Sequence, residues 1–323
     1  MKPFNTFAHF NFYMLKRFTN TRSHLFLLIA NLIYGINFSV AKSVMPESIK
    51  PLALVAFRTA VSALLFWGTS LFLPKEKVGR KDLFFLFMCS FIGVVLNQTL
   101  FLAGLNLTTP INSAIILTMN PIAAFIFAAF ILKEDISLIR GTGLAVGLAG
   151  VMLLILQGGR PDFGSSTFLG NLLTLASTIN WALYTVLIKK MLVKYQPVTV
   201  MKWTFLFSLL TTVPMGYSQL STTGWSDFTL ISWTSLAFVI VAATFLGYLL
   251  ISSGLRNLSP TVVSSYTYSQ PLIAALIASM MGQDKIDMIK ILSAILIFAG
   301  VYLVSKPDSF KIGTLKKSPV ELP

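Results

Sequence analysis

From His24 to Val304 the chain is a succession of apolar runs about twenty residues long, separated by short polar joints. At a rise of about 1.5 Å per residue, roughly 20 helical residues cross a hydrocarbon core about 30 Å thick. A lipid-embedded backbone must satisfy every N–H and C=O internally, and no period-two alternation marks barrel strands, so these runs fold as helices. The expected fold is an all-α polytopic membrane protein. Ten transmembrane helices are expected at 24–45, 51–73, 83–105, 111–132, 137–156, 166–188, 197–217, 231–254, 260–282 and 286–304. Composition excludes the alternative of two soluble domains: only 11% of residues are charged, against about 25% in soluble domains.

Basic residues orient the chain. Nineteen lysines and arginines fall on the side that holds both termini, among them Lys2, Lys75, Arg80, Lys133, Lys189, Arg256 and Lys316. Six fall on the other side: Lys42, Lys50, Arg58, Arg160, Lys285 and Lys290. The positive-inside rule then makes both termini cytoplasmic. The net charge of +14 reads as topology and contact with the anionic lipid bilayer. The basic residues are scattered through short loops and form no single patch, so no nucleic-acid partner is expected. Residues 1–22 form a cytoplasmic tail whose basic residues imitate a signal peptide, but "SVMPES" offers no cleavage site, so the first helix is read as uncleaved. The aromatic "FAHFNFYM" is read as a disordered tail, or as an over-extended start with Met14 the true beginning. Cys89 is the only cysteine, inside the third span, so no disulfide framework is present.

The chain also matches itself. At a shift of 150, "GLNLTTP" (Gly104–Pro110) meets "GLRNLSP" (Gly254–Pro260), Pro121 meets Pro271, and "AGVML" (Ala149–Leu153) meets "AGVYL" (Ala299–Leu303). At 147, "YGINFSVAK" (Tyr34–Lys42) meets "WALYTVLIK" (Trp181–Lys189). The expected division is a first five-helix repeat at 23–156, an outer linker at 157–165, a second repeat at 166–304 and a cytoplasmic tail at 305–323. Five helices per repeat is an odd number, so the second copy crosses the membrane in the opposite sense. Inverted repeats with broken helices at the midplane are a recurrent plan of secondary transporters.

Pro121 and Pro271 stand at the centres of the fourth and ninth spans. A proline in a helix interior removes one backbone bond and frees the carbonyl four residues back, here Leu117 and Thr267. In lipid that acceptor needs protein or cavity water. Asn120 and Gln270 add an amide beside each break. The competing reading, a simple kink in a packed helix, is weakened because both prolines are central and repeat-related.

These stretches resemble the drug/metabolite transporter superfamily in its ten-helix form with two EamA domains. The resemblance rests on "YGINFSVAK" with Arg58 in the next span, on Asn97–Ser137, on "GTGLAVGLAGVMLLI" (Gly141–Ile155), and on the second-copy stretch from Phe245 through "AGVYLV". It covers about residues 25–304. It implies a multi-pass protein of the bacterial cytoplasmic (inner) membrane that exports amino acids or other small metabolites. It also implies a central cavity from spans 1–4 and 6–9, with spans 5 and 10 peripheral. One departure is that Gln283 and Asp284 stand where the first copy has Lys133 and Glu134.

The candidate substrate-binding residues are the polar and aromatic groups inside the spans and the two broken helices. They are Asn31, Tyr34, Asn37, Arg58, Asn97, Gln98, Asn120 and Pro121 from the first copy, and Trp181, Tyr184, Tyr248, Tyr266, Tyr268, Gln270 and Pro271 from the second. For any single amide the alternative is a structural hydrogen bond to a neighbouring helix. Arg58 is a bidentate partner for a carboxylate or phosphate, or else it binds freed carbonyls or Glu47. Lys42 has the same functional reading, against snorkelling to the interface. All eleven acidic residues fall at loops, tails or helix ends, which disfavours a carboxylate proton relay.

"GTGLAVG" lacks the strand and acidic residue of a dinucleotide loop; Gly143 and Gly147 read as a small-residue helix-packing face. Neither a metal-ligand cluster nor a Ser-His base pair is present, so no cofactor, metal or catalytic residue is expected. The expected function is export of a small-molecule metabolite by alternating access. The alternatives are an organic-anion or sugar-phosphate carrier and, from another class, a membrane-embedded enzyme or receptor scaffold. Oligomeric state is open.

Overall fold

A computed structural model describes residues 5–45, 47–132, 138–156 and 165–305. The first half comprises α1 (Asn5–Val44), α2 (Pro51–Ser70), α3 (Arg80–Ser90), a π-helical segment (Phe91–Leu96), α4 (Asn97–Leu107), α5 (Pro110–Leu117), α6 (Asn120–Leu132) and α7 (Leu138–Ile155). The second comprises α8 (Ser166–Lys194), α9 (Pro197–Ser221), a 3₁₀ turn (Trp225–Asp227), α10 (Leu230–Ala237), a π segment (Phe238–Leu246), α11 (Gly247–Asn257), α12 (Pro260–Ser265), a 3₁₀ turn (Tyr266–Ser269), α13 (Gln270–Met280) and α14 (Met288–Ser305). Among the described residues the fold is all-helical, and seven helices are long and apolar enough to cross a membrane. Two shorter apolar helices, Gly141–Ile155 and Met288–Leu303, accompany them.

Helix starts follow the repeat. Pro51 and Pro197 open α2 and α9, and Pro110 and Pro260 open α5 and α12. Proline suits the first turn because its missing N–H has no intrahelical partner there. Thr109 and Ser259 then cap the N–H groups of Asn112 and Val262 at the same relative positions.

The two halves interlock through close approaches at glycine. Gly104 on α4 and Gly170 on α8 meet so tightly that a Cβ on either would lie 2.8 Å from the other's carbonyl oxygen. α7 and α14 pair with each other at Gly143, Gly147 and Gly300, the small-residue face read in the sequence. Each half also caps the other. Glu76 accepts the Gln196 N–H before α9 at 3.0 Å, and Gln219 accepts the Leu52 and Ala53 N–H groups of α2 at 3.0 and 3.4 Å.

Lys42 neither snorkels freely nor faces a cavity. Its Nζ donates to the carbonyls of Leu105, Asn106 and Thr108 at 2.9, 2.6 and 2.9 Å, closing the C-terminus of α4. Lys189 repeats this on α11, donating to the carbonyls of Leu255, Arg256 and Leu258. A helix leaves its last four carbonyls unsatisfied, and a cation is favoured at that negative end.

Three features differ from the sequence reading. The helical backbone begins at Asn5, so the segment read as a disordered tail continues α1. Two π segments interrupt the third and eighth spans at repeat-related positions, with no sequence marker. Each central proline stands second in a new helix, α6 or α13, so it removes no bond from a continuous helix. Lys133, Glu134, most of the expected outer linker and nearly all of the C-terminal tail lie outside the described residues.

Candidate functional site

Where the broken helices of the two halves approach each other, a cavity opens with a free volume, mouth included, of about 800 Å³. Its walls come from α1, α2, α4 and the α5/α6 break of one half, and from α8, α11 and the α12/α13 break of the other. Leu117 and Thr267, four residues before the two prolines, both line it. Among the described residues, none of α7, α14 or α9 lines it.

A pseudo-two-fold relation runs through this lining. Gln98 donates to the Tyr248 hydroxyl at 3.0 Å, and these two positions are repeat partners at the 150-residue shift. Tyr248 in turn donates to the Gly93 carbonyl of the first π segment at 3.1 Å. Gln270 donates to Asn31 Oδ1 at 2.6 Å, joining the second broken helix to α1. Asn97 donates to the Ser177 carbonyl at 2.8 Å, fixing α4 to α8.

Among the described residues Arg58 is the one charged residue of the lining, 3% exposed. Its Nε donates at 2.8 Å to the hydroxyl of Thr244, which donates at 2.7 Å to the Val239 carbonyl inside the second π segment. Widening one helical turn leaves that carbonyl to a side chain, as π-bulges at functional sites commonly do. Arg58 is not paired with Glu47, and among the described residues it makes no ion pair. Its Nη1 is buried and without a hydrogen-bond partner. So are the hydroxyl of Tyr34 and the amide oxygens of Asn37, Gln98, Asn120 and Gln270.

Of the residues expected at the site, the cavity brings together Asn31, Tyr34, Asn37, Arg58, Asn97, Gln98, Asn120, Trp181, Tyr248 and Gln270. Pro121 and Pro271 stand one residue past the lining amides, turned off the wall. Tyr184 lies outside the lining, its ring tilted against Trp181 at 5.3 Å and pressed on Gly93. Tyr266 and Tyr268 also lie outside: the first bonds His24 at 2.5 Å, the second packs 5.6 Å from Phe298 on α14. The cause is the 3₁₀ turn. At three residues per turn, Thr267 and Gln270 share the cavity side, and the tyrosines flanking Thr267 point elsewhere. Phe38, Phe101, Ser177, Thr178 and Ile251 line the wall without having been singled out, because apolar and hydroxyl residues at helical spacing carry no mark of their own.

An all-helical membrane protein with a largely apolar cavity, set with amides and one arginine and shared by two related halves, defines a class: membrane transporters built on an internal repeat. Comparison with known proteins makes it specific. The model of the EamA-like transporter family matches residues 21–156 and again 168–306. The uncharacterized transporter YyaM of Bacillus subtilis is 24% identical over 87% of this chain and 93% of its own length. An uncharacterized transporter of Archaeoglobus fulgidus is 26% identical over 88% of this chain and 98% of its own. A WAT1-related protein of Arabidopsis thaliana is 22% identical over 89% of this chain and 85% of its own. A solved crystal structure shares the fold at a TM-score of 0.61 and 15% identity, over 88% of this chain and 98% of that one. The chain belongs to the EamA-like transporter family, within the drug/metabolite transporter superfamily.

Proposed function

We propose that this protein is a secondary transporter that exports an amino acid or similar small metabolite by alternating access, and is not an enzyme. In this reading ten transmembrane rods form when α3 is joined to α4, α5 to α6, α10 to α11 and α12 to α13 across their breaks. The repeats at 23–156 and 166–304 rock against each other in the bacterial inner membrane with both termini cytoplasmic, the orientation that the basic residues favour. The observation that carries the reading is the cavity at the two repeat-related helix breaks, walled by both halves and lined by amides. Substrate held there faces one side or the other as the halves rock.

The test is uptake into proteoliposomes of purified full-length protein, with a panel of amino acids and small organic anions. Saturable flux of at least one solute, lost in Gln270→Leu, is expected. No saturable flux across the panel overturns the proposal. A second reading, an organic-anion or sugar-phosphate carrier, is favoured by one observation: the buried, unpaired Nη1 of Arg58 in the cavity lining.

A further inference from the structure

Arg58 has no equivalent in the other half. α2 and α9 both open on proline, at Pro51 and Pro197, so the position matching Arg58 is Thr204, whose hydroxyl bonds the Val200 carbonyl of its own helix. The repeat is thus broken at one lining position, by the insertion of a fixed positive charge. A buried, uncompensated guanidinium is costly. Its single side-chain partner, Thr244, is neutral. Among the described residues, no Asp or Glu lines the cavity. What the lining offers besides Arg58 are the unpartnered amide oxygens of Asn37, Gln98, Asn120 and Gln270, all acceptors waiting for donors.

We infer that the cavity selects solutes by an obligatory anionic group, a carboxylate seated on Arg58, and refuses net cations. This rests on the transporter reading above and narrows it. The guanidinium forms charge-assisted, bidentate bonds to a carboxylate. The amide oxygens receive a donor carried on the same solute, an ammonium or a hydroxyl, and Trp181 and Tyr248 face its apolar body. Zwitterions and hydroxy acids satisfy both ends, and simple carboxylates satisfy one. A solute with an ammonium and no carboxylate brings a second positive charge into a low-dielectric cavity with no anion to balance it. Unlike an acid-lined cavity, this one gives lipophilic cations nowhere to pair. Arg58 is the specificity-determining residue, and Thr244 positions it.

The test uses the purified full chain and two families of probes, one on a benzyl body and one on an isobutyl body. The benzyl set is phenylalanine, 3-phenylpropionate, phenylalaninamide and phenethylamine; the isobutyl set is leucine, 4-methylpentanoate, leucinamide and isoamylamine. Binding is read as ligand-induced thermal stabilisation, alongside proteoliposome uptake. Acids and zwitterions of at least one set bind, and the amides and amines do not. Arg58→Gln weakens the acids by roughly 30-fold or more, the loss of a charged hydrogen bond, and narrows the acid-to-amide ratio. Arg58→Lys recovers part of that ratio, which separates lost charge from a variant that fails to fold. Amines binding as well as acids, or Arg58→Gln binding acids unchanged, overturns the inference. So does an absence of binding by every probe; saturable flux of some other solute in the same liposomes then leaves the transporter reading standing, and its absence removes both.

Discussion

Lys42 and Lys189 show how a charge inside a span is held by backbone carbonyls, away from the cavity lining. Each closes a helix C-terminus with three carbonyls, at matching places in the two halves. Lys42→Met strips those carbonyls of their donor and is expected to cost about 2 kcal/mol, by analogy with hydrogen bonds to charged groups. Thermal unfolding in detergent should show a lowered Tm, and Lys189→Met should add to it because the sites share no partner. The transport KM stays at its wild-type value. A changed KM with an unchanged Tm would return Lys42 to the binding residues. Lys189 read as a loop charge just past the sixth span, whereas Lys42 and Arg58 were legible as charges in apolar surroundings. Their opposite fates were not legible, since only the fold reveals that Lys42 meets the end of α4 and Arg58 meets a neutral threonine. The cavity amides were readable for the same reason as the charges. Phe38, Phe101 and Ile251 were not, because a lining phenylalanine and a core phenylalanine are the same letter at the same spacing.

Glycine at the helix contacts carries two opposite meanings, which the element scale separates. Gly300 on α14 faces α7 so closely that a Cβ there would stand 2.5 Å from the Gly147 backbone nitrogen. Backbone cannot swing aside as a side chain can, so Gly300→Ala forces the pair apart, at the roughly 1–3 kcal/mol typical of overpacking. Gly68 on α2 has nothing within 4 Å of its would-be Cβ. Gly68→Ala is expected to stabilise by up to about 1 kcal/mol, through helix propensity alone. Melting both variants beside the wild type checks the opposed signs, and substrate binding should follow neither, since neither residue lines the cavity. The α7 packing face was legible from Gly143 and Gly147. The π segments were not: "FIGVVL" and "FVIVAATFL" differ from any apolar helix only in which carbonyl each N–H reaches. Yet they free the Gly93 and Val239 carbonyls that Tyr248 and Thr244 take up, and this sets the aim of Tyr248 and Arg58 into the cavity.

For the whole molecule, alternating access requires that contacts joining the halves at one membrane face break while those at the other hold. The structure holds such contacts at both ends of the bundle, and among the described residues only one end adds charged joints to uncharged ones such as Asn257 to Ser23 at 3.0 Å. At the face proposed to be cytoplasmic, Asp82 takes Lys194 and, at 2.7 Å, the Tyr195 hydroxyl, and Glu76 caps the start of α9. At the opposite face the joints are neutral: Gln219 on the start of α2, Ser48 to Ser232 at 3.2 Å, and Gln283 to the Ser39 carbonyl at 3.1 Å. Solvent and salt screen the exposed charged set, while the neutral set is indifferent to ionic strength. Neutralising the charged face with Asp82→Asn and Glu76→Gln therefore lowers the free energy of opening on that side alone, because a shift in population needs a differential interaction between the two states. The check is a single cysteine at the cavity wall, Thr178→Cys, in a Cys89→Ser background, labelled from each side with an impermeant maleimide. Labelling from the cytoplasmic side should rise in the double variant and fall from the outside. In the parent, raising salt should push labelling the same way, and the double variant should lose that response. Equal changes from both sides would mean that the charged contacts merely hold the fold together and take no part in choosing which way the cavity opens.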